Sequence, residues 1–149
     1  MTSLTIITRI KAPSKIVFDV SRNIEIHQLS VAHTNEKAIA GTTSGLIGLN
    51  ETVTFRGKHF GIYLTHQSQI TEMSAPDYFT DEMIKGHFSF FRHEHIFEIQ
   101  EDATIMTDKI QYKVPFGSIG KLFDFFILKR YLRTMIRKRN KLLKYIAEN

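Results

Sequence analysis

The sequence predicts an α+β fold in which a curved antiparallel sheet of about seven strands wraps around one long C-terminal helix, with two short helices after the first strand. Three observations carry this reading. The stretch Ser118–Glu148 contains no proline and as a helix would run for roughly 45 Å. Residues 50–114 break into alternating segments separated by turn residues, as a strand meander does. A sheet of that size has one apolar face to cover, and only one element is long enough to cover it. The 149 residues are expected to form a single domain, 1–149, able to bury about two-thirds of its unfolded surface.

In chain order, Leu4, Ile6, Thr8 and Ile10 alternate with Thr5, Ile7, Arg9 and Lys11, which predicts a strand over 3–11. Ala12-Pro13-Ser14 ends it, and Pro13 suits a first helical turn because it has no N–H to leave unpaired. Ile16, Val17 and Val20 then give a short helix to about Arg22, and Asn23 is an N-cap for a second through Leu29. A second strand is expected over His33–Ala40. The glycines at 41, 45 and 48 make a flexible connection that lacks the lysine and spacing of a phosphate loop. Five further strands follow at about 50–59, 61–73, 77–86, 87–101 and 103–114. Turns at Gly57 to Gly61, Ser74 to Asp77, Gly86 and Gln100 to Asp102 separate them.

Pro115 and Gly117 close the sheet before the long helix. At 100° per residue Phe125, Leu128, Leu132, Met135, Leu142, Leu143 and Ile146 share one arc, with Arg130, Arg133, Arg137, Lys141 and Lys144 opposite. Arg139 interrupts the apolar arc, where a charge requires a partner or a route to water. Ile119, Phe123, Phe126 and Ile127 fall on the side that is basic further along, so the start of the helix is expected to be covered on two sides.

Composition is that of an ordinary soluble globule, 42% apolar and 23% charged. The absence of cysteine excludes disulfides and thiolate chemistry and fits a reducing compartment. The opening MTSLTIITRIKAP has no basic region followed by a long apolar run, so no signal peptide is read and a cytoplasmic location is expected. No stretch approaches the roughly 18 uninterrupted apolar residues of a membrane span. The net charge of +5 is uneven: from Lys121 onward nine Lys or Arg face two acids, whereas the residues before it hold eleven basic and thirteen acidic groups. The basicity therefore belongs to the final helix. It is expected to be a solvated outer face, with peripheral contact to an anionic membrane or an acidic partner as the alternative. Nucleic acid is disfavoured, because no recognition motif accompanies the charge.

Four segments carry a resemblance. They are Ala12-Pro13 with Val17-Phe18, GLIGLNETVTFRGKHFG (45–61), FTDEMIKGHFSFFRHEHIFE (79–98) and TIMTDKIQYKVPFGSIGKL (104–122). With the element order, they resemble the START-related, birch-pollen-allergen-like and polyketide cyclase/dehydrase superfamily (SRPBCC), and within it small bacterial cell-division-inhibitor-like proteins. The likeness covers nearly the whole chain. It implies the helix-grip fold and a hydrophobic ligand cavity, with no cofactor and no metal. It implies no single reaction, because the superfamily includes carriers, receptors and cyclases.

Strand parity sorts the side chains that would face the helix. Phe91, His93, His95, Phe97 and Ile99 share one face of their strand. Met106, Asp108, Ile110, Tyr112 and Val114 do so in the last, Ile62, Leu64, His66, Ser68 and Ile70 in the 61–73 strand, and Val53, Phe55 and His59 in the 50–59 strand. The expected cavity wall is therefore Phe55, His59, Leu64, His66, Phe91, His93, His95, Phe97, Met106, Asp108, Ile110 and Tyr112, with Leu132, Met135 and Arg139 from the helix. Asp81 and Glu82 stay unassigned, since both alternating sets around them contain apolar residues. Three roles are open to the inward His/Asp/Arg group. It is a structural network, with Asp108 (or Glu51) answering Arg139; a polar patch in a ligand pocket; or a metal or acid–base site built on His93-x-His95. No residue present is one that catalysis alone would require. Binding of a small apolar or amphipathic molecule therefore ranks first, cyclase/dehydratase-like proton transfer second, and an adaptor working through the basic helix third.

Overall fold

Leu4, Ile6 and Ile10 are buried while Thr5, Ile7 and Arg9 face outward, so the period-two pattern of the first segment produces strand β1 (Thr2–Ile10). The computed structural model describes residues 1–149. After β1 come α1 (Ser14–Ser21), α2 (Ile24–Ser30) and a 3-10 turn at Ala32–Thr34. The strands β2 (Lys37–Gly41), β3 (Thr52–His59), β4 (Ile62–Ser74), β5 (Tyr78–Lys85), β6 (Phe90–Gln100) and β7 (Ala103–Lys113) follow. The chain ends with α3 (Gly117–Phe123), a π-helical turn at Asp124–Leu128 and α4 (Lys129–Glu148). Asn23 caps α2, its Oδ1 accepting the Ile26 N–H at 2.9 Å.

All seven strands form one antiparallel sheet in the order β1-β7-β6-β5-β4-β3-β2. Register shifts between β4 and β5, at Gln67/Ser68 and Ile70/Glu72, and between β2 and β3, at Ala38/Ala40, bend the sheet. The helix α4 lies across β1, α1 and α2. Two apolar clusters fill the space. One gathers Ile10, Val17, Phe18, Phe79, Phe97, Met106 and Leu143. The other gathers Leu4, Ile6, Ile110, Tyr112, Leu128, Leu132 and Ile136. Each long element passes from one cluster to the other through polar residues: β1 at Thr8, β6 at His93 and His95, β7 at Asp108, and α4 at Arg139 and Asn140. A polar seam thus divides the core.

Several boundaries differ from the sequence reading. Residues 33 and 34 belong to the 3-10 turn and Asn35 is left-handed, so β2 starts at Lys37. Residues 87–89 form a loop before β6. Ile62 and Ile99, expected inward, lie at strand ends and are exposed. The largest correction concerns the start of the final helix, which is covered along one narrow line and not on two sides. Between Gly117 and Leu128 only Gly120, Asp124 and Leu128 are buried, a single line at four-residue spacing. The π turn holds more than 3.6 residues per turn. A projection at 100° per residue therefore misplaces Phe125, which is exposed. Asp124 anchors the turn at the end of the sheet, accepting hydrogen bonds from the Tyr112 and Thr2 hydroxyls.

Gly120 sits where a Cβ would come within 1.9 Å of the Pro115 carbonyl oxygen. Gly120→Ala should therefore destabilise the protein by roughly 1–3 kcal/mol through overpacking. A urea melt of the variant that superposes on wild type would show that α3 is not seated this tightly.

Candidate functional site

Curvature of the sheet leaves a cavity of about 260 Å³ between its concave face and α4. A dry protein cavity of about 150 Å³ accepts benzene, so this one has room for more than a single aromatic ring. Phe55, Leu64, Ile70, Phe79, Phe91, Leu132 and Met135 supply apolar wall. Phe60, in the β3–β4 turn, and His87, in the β5–β6 loop, line the cavity and are exposed, so it reaches the surface there.

One end of the wall is the polar seam. Asp108 is wholly buried. Its Oδ1 accepts from His93 Nε2 at 2.7 Å and from Arg139 Nη1 at 3.4 Å, and its Oδ2 from Asn140 Nδ2 at 2.8 Å. Asn140 also donates to Thr8 Oγ1 at 3.2 Å, and its own Oδ1 accepts from Arg139 at 2.8 Å. Burial alone would raise the Asp108 pKa, but the His93 hydrogen bond and the Arg139 charge hold it well below the usual carboxylate range. His95 continues the seam. Its Nε2 faces Asp81 Oδ2 at 2.7 Å, and its Nδ1 faces Arg139 Nη2 at 3.4 Å. A carboxylate only accepts and a guanidinium only donates, so His95 is a neutral imidazole with its proton on Nε2. Burial, then the neighbouring His93, push its pKa down to about 4. Asp81 is raised by burial, yet its hydrogen bond from His95 brings it to about 2. The His93 and His95 rings stack 3.7 Å apart, and His95 stacks in turn on Phe79 at 4.1 Å.

A second polar group lies on the same wall. His27 Nε2 donates to Glu36 Oε1 at 2.8 Å, while His59 Nε2 stands 3.6 Å from Glu36 Oε2. The Tyr131 hydroxyl is 2.6 Å from His59 Nδ1. Burial would raise Glu36, but its histidine partners hold it at about 2. Burial followed by the Glu36 charge raises the Tyr131 phenol. His66 lies between the two groups, edge-on to Phe88 and Phe91, and burial lowers its pKa. Asp81, His93 and His95 bring one carboxylate oxygen and two ring nitrogens within 4.8 Å of one another. The Nε2 atoms of both rings already donate to carboxylates, and the Arg139 guanidinium stands beside His95.

Of the residues expected at the wall, Phe55, His59, Leu64, His66, Phe91, His93, His95, Leu132, Met135 and Arg139 line the cavity. Phe97, Met106, Asp108, Ile110 and Tyr112 do not. Phe97 and Met106 are covered by α1, with Phe18 packed edge-on to Phe97 and Ser21 against Met106. Ile110 and Tyr112 sit in the cluster with Leu128, Leu132 and Ile136, and Asp108 lies behind His93. Parity assigns a face of the sheet; it does not say which part of that face a helix covers. Arg139 does meet Asp108, whereas Glu51 turns away to cap the Gly48 N–H. Sequence reasoning misses Glu36, His27, Tyr131 and Asp81. Asp81 shares the inward face with buried Phe79, a signal lost in the two apolar sets of that strand. Glu36 lies just outside β2, and only its neighbours in space mark it.

No protein-family model and no curated protein matches the sequence. Solved structures do match the fold. The TTHA0849 protein of Thermus thermophilus has a TM-score of 0.74 and 12% identity, over 95% of this chain and 97% of its own. Major latex-like protein 151 of Panax ginseng has a TM-score of 0.70 and 12% identity, over 99% and 98%. A START superfamily protein of Mycobacterium smegmatis has a TM-score of 0.71 and 10% identity, over 98% and 97%. At such low identity these likenesses show the fold, and it is the helix-grip fold that the motif resemblance implied.

Two outcomes are expected at the seam. Asp108→Asn and Arg139→Met should each cost about 3–5 kcal/mol by leaving a buried charge uncompensated, and the double variant should cost less than their sum. Additive losses in denaturant melts would separate the two residues. The second outcome concerns pH. The ordinary imidazole pKa of 6.5 falls to about 4 at His95. Between those values the unfolded chain binds a proton that the folded chain does not, so stability should fall as pH drops from 6.5 toward 4. His95→Gln should remove much of that slope, with His66 retaining a share. Urea midpoints at about pH 7 and about pH 5 whose difference is unchanged in the variant would contradict it.

Proposed function

We propose that this chain is a small-molecule binding protein of the START-related, birch-pollen-allergen-like superfamily, holding an apolar or amphipathic ligand between the sheet and α4. By motif it resembles the small bacterial cell-division-inhibitor-like cyclase/dehydrase proteins of that superfamily. The observation that carries this reading is the cavity itself: apolar walls with polar groups gathered at two places, the pattern of a small-molecule site. Charge narrows the ligand. Asp81 and Glu36 border the cavity with pKa values of about 2 and are ionised at neutral pH. An anionic ligand end would meet these carboxylates, so an uncharged hydroxyl or keto end fits better. The Tyr131–His59 pair would receive it.

A second reading, proton transfer of the cyclase/dehydratase type, has one observation in its favour. Tyr131, His59 and Glu36 stand in line, hydroxyl to imidazole to carboxylate, as a general acid–base pair with an orienting group does. Binding requires only the cavity, so it ranks first.

An environment-sensitive apolar dye should bind with one-to-one stoichiometry at micromolar concentration, and Met135→Trp, which fills the cavity from α4, should weaken it at least about tenfold. Ile110→Trp would instead disrupt the core, since Ile110 is only 1% exposed and lies off the cavity wall. Absence of dye binding in folded wild-type protein would remove both readings. Turnover of a polyketide-like substrate that is lost in His59→Ala, with dye binding retained, would reverse their order.

A further inference from the structure

The segment leading into α4 is the most unusual surface of the molecule. Phe116, Ile119, Leu122, Phe125 and Phe126 lie close together in the chain and are 83%, 77%, 59%, 72% and 62% exposed. Scattered exposed apolar residues are normal, but a contiguous group of this kind marks an interaction surface. The segment is also held firmly. Gly120 packs against the Pro115 carbonyl, Asp124 accepts from the Tyr112 and Thr2 hydroxyls, and Leu128 is buried in the core. These three inward positions fix which residues point away from the protein.

The surface carries one sign of charge. Lys121, Lys129, Arg130 and Arg133 lie in the segment or within the next two turns, and Asp124, the sole acid between Gly117 and Ala147, is buried. Among the cations of α3 and α4, only Arg139 and Lys144 form ion pairs. Self-association through this face would set the cations of two copies against each other with no acidic residue to answer them. A bilayer with anionic headgroups answers both features, taking up the phenyl and aliphatic groups while phosphates meet the cations. No helix is long and apolar enough to cross a membrane, so the contact is peripheral.

We propose that α3 and the π turn form a docking surface for anionic membranes, with Phe116, Ile119, Leu122, Phe125 and Phe126 entering the interface and Lys121, Lys129, Arg130 and Arg133 meeting the headgroups. The proposal goes beyond ligand binding and does not depend on it. The surface is continuous with the cavity mouth: exposed Phe60 lines the cavity and packs on Phe123 at 5.4 Å and on Tyr131 at 4.6 Å. A docked molecule would therefore present the opening to the lipid.

The test is vesicle co-sedimentation at low salt, with phosphatidylcholine alone and with phosphatidylcholine mixed with phosphatidylserine. The wild-type protein should bind the anionic vesicles and release as salt rises. Arg130→Gln with Arg133→Gln should weaken binding roughly 25-fold, at about fivefold per charge near an anionic surface. Ile119→Asp with Phe125→Asp should abolish it, and because both side chains are already in solvent the thermal melt should stay within a few degrees of wild type. No binding by wild type, or equal binding to neutral and anionic vesicles, would overturn the proposal. So would a dimer in solution that the Ile119→Asp, Phe125→Asp variant converts to monomer, since the surface would then belong to a second copy of the chain.

Discussion

The fold depends on where the carboxylate of Asp108 finds its partners. It has no exposure and four side chains come to it or to its immediate neighbours: His93 from β6, Arg139 and Asn140 from α4, and Thr8 of β1 through Asn140. Taking a carboxylate and a guanidinium out of water costs several kcal/mol apiece, and their attraction offsets it only when the remaining hydrogen-bonding sites are also satisfied. Sliding α4 by one residue would turn Arg139 and Asn140 away and leave Asp108 with His93 as its only hydrogen-bond partner. An apolar helix on an apolar sheet has many near-equivalent positions; this seam penalises all but one.

The same seam shapes the cavity. Because polar residues cross the core, the two apolar clusters do not merge, and the bulged sheet stays open beside the seam. Burial, then the neighbouring His93, keep His95 neutral, and its place between a donor and an acceptor, Arg139 and Asp81, fixes which ring nitrogen carries the proton. The network thus reaches the cavity as an oriented row of hydrogen-bonding groups. The second polar group, Tyr131 to His59 to Glu36, is nearer solvent and links α4 to the opposite side of the sheet. A ligand in the cavity would lie between two groups of different character, one locked in the core and one close to the mouth.

Along its length the C-terminal helical region has three roles that its local environment separates. Leu143 joins the cluster beside α1, Arg139 and Asn140 register the helix, and Leu132 and Ile136 close the second cluster. On the N-terminal side of Leu128 the π turn changes the helical phase, and only the line of Gly120, Asp124 and Leu128 is returned to the protein. Apolar side chains that a regular helix would have shared with the core are thereby turned outward in company with the lysines and arginines.

Hydrophobic periodicity and turn residues are local signals, so the element order, the single curved sheet and the long helix across it are all legible in the amino-acid chain. Parity and helical phase are likewise properties of one segment at a time. They place His93, His95 and Asp108 on the inner face and mark Arg139 as a charge in search of a partner. What lies beyond them depends on how segments meet. Phe97 and Met106 face inward yet line no cavity because α1 covers them, and Ile110 and Tyr112 line none because the C-terminal helical region packs directly on them. Glu36 and Tyr131, from distant parts of the chain, meet at His59, a contact no local pattern encodes. Phe125 falls on the apolar arc of a regular helix and is nevertheless exposed, because one π turn shifts the phase, and Asp124 in that turn bonds to Tyr112 and Thr2, residues distant in the chain.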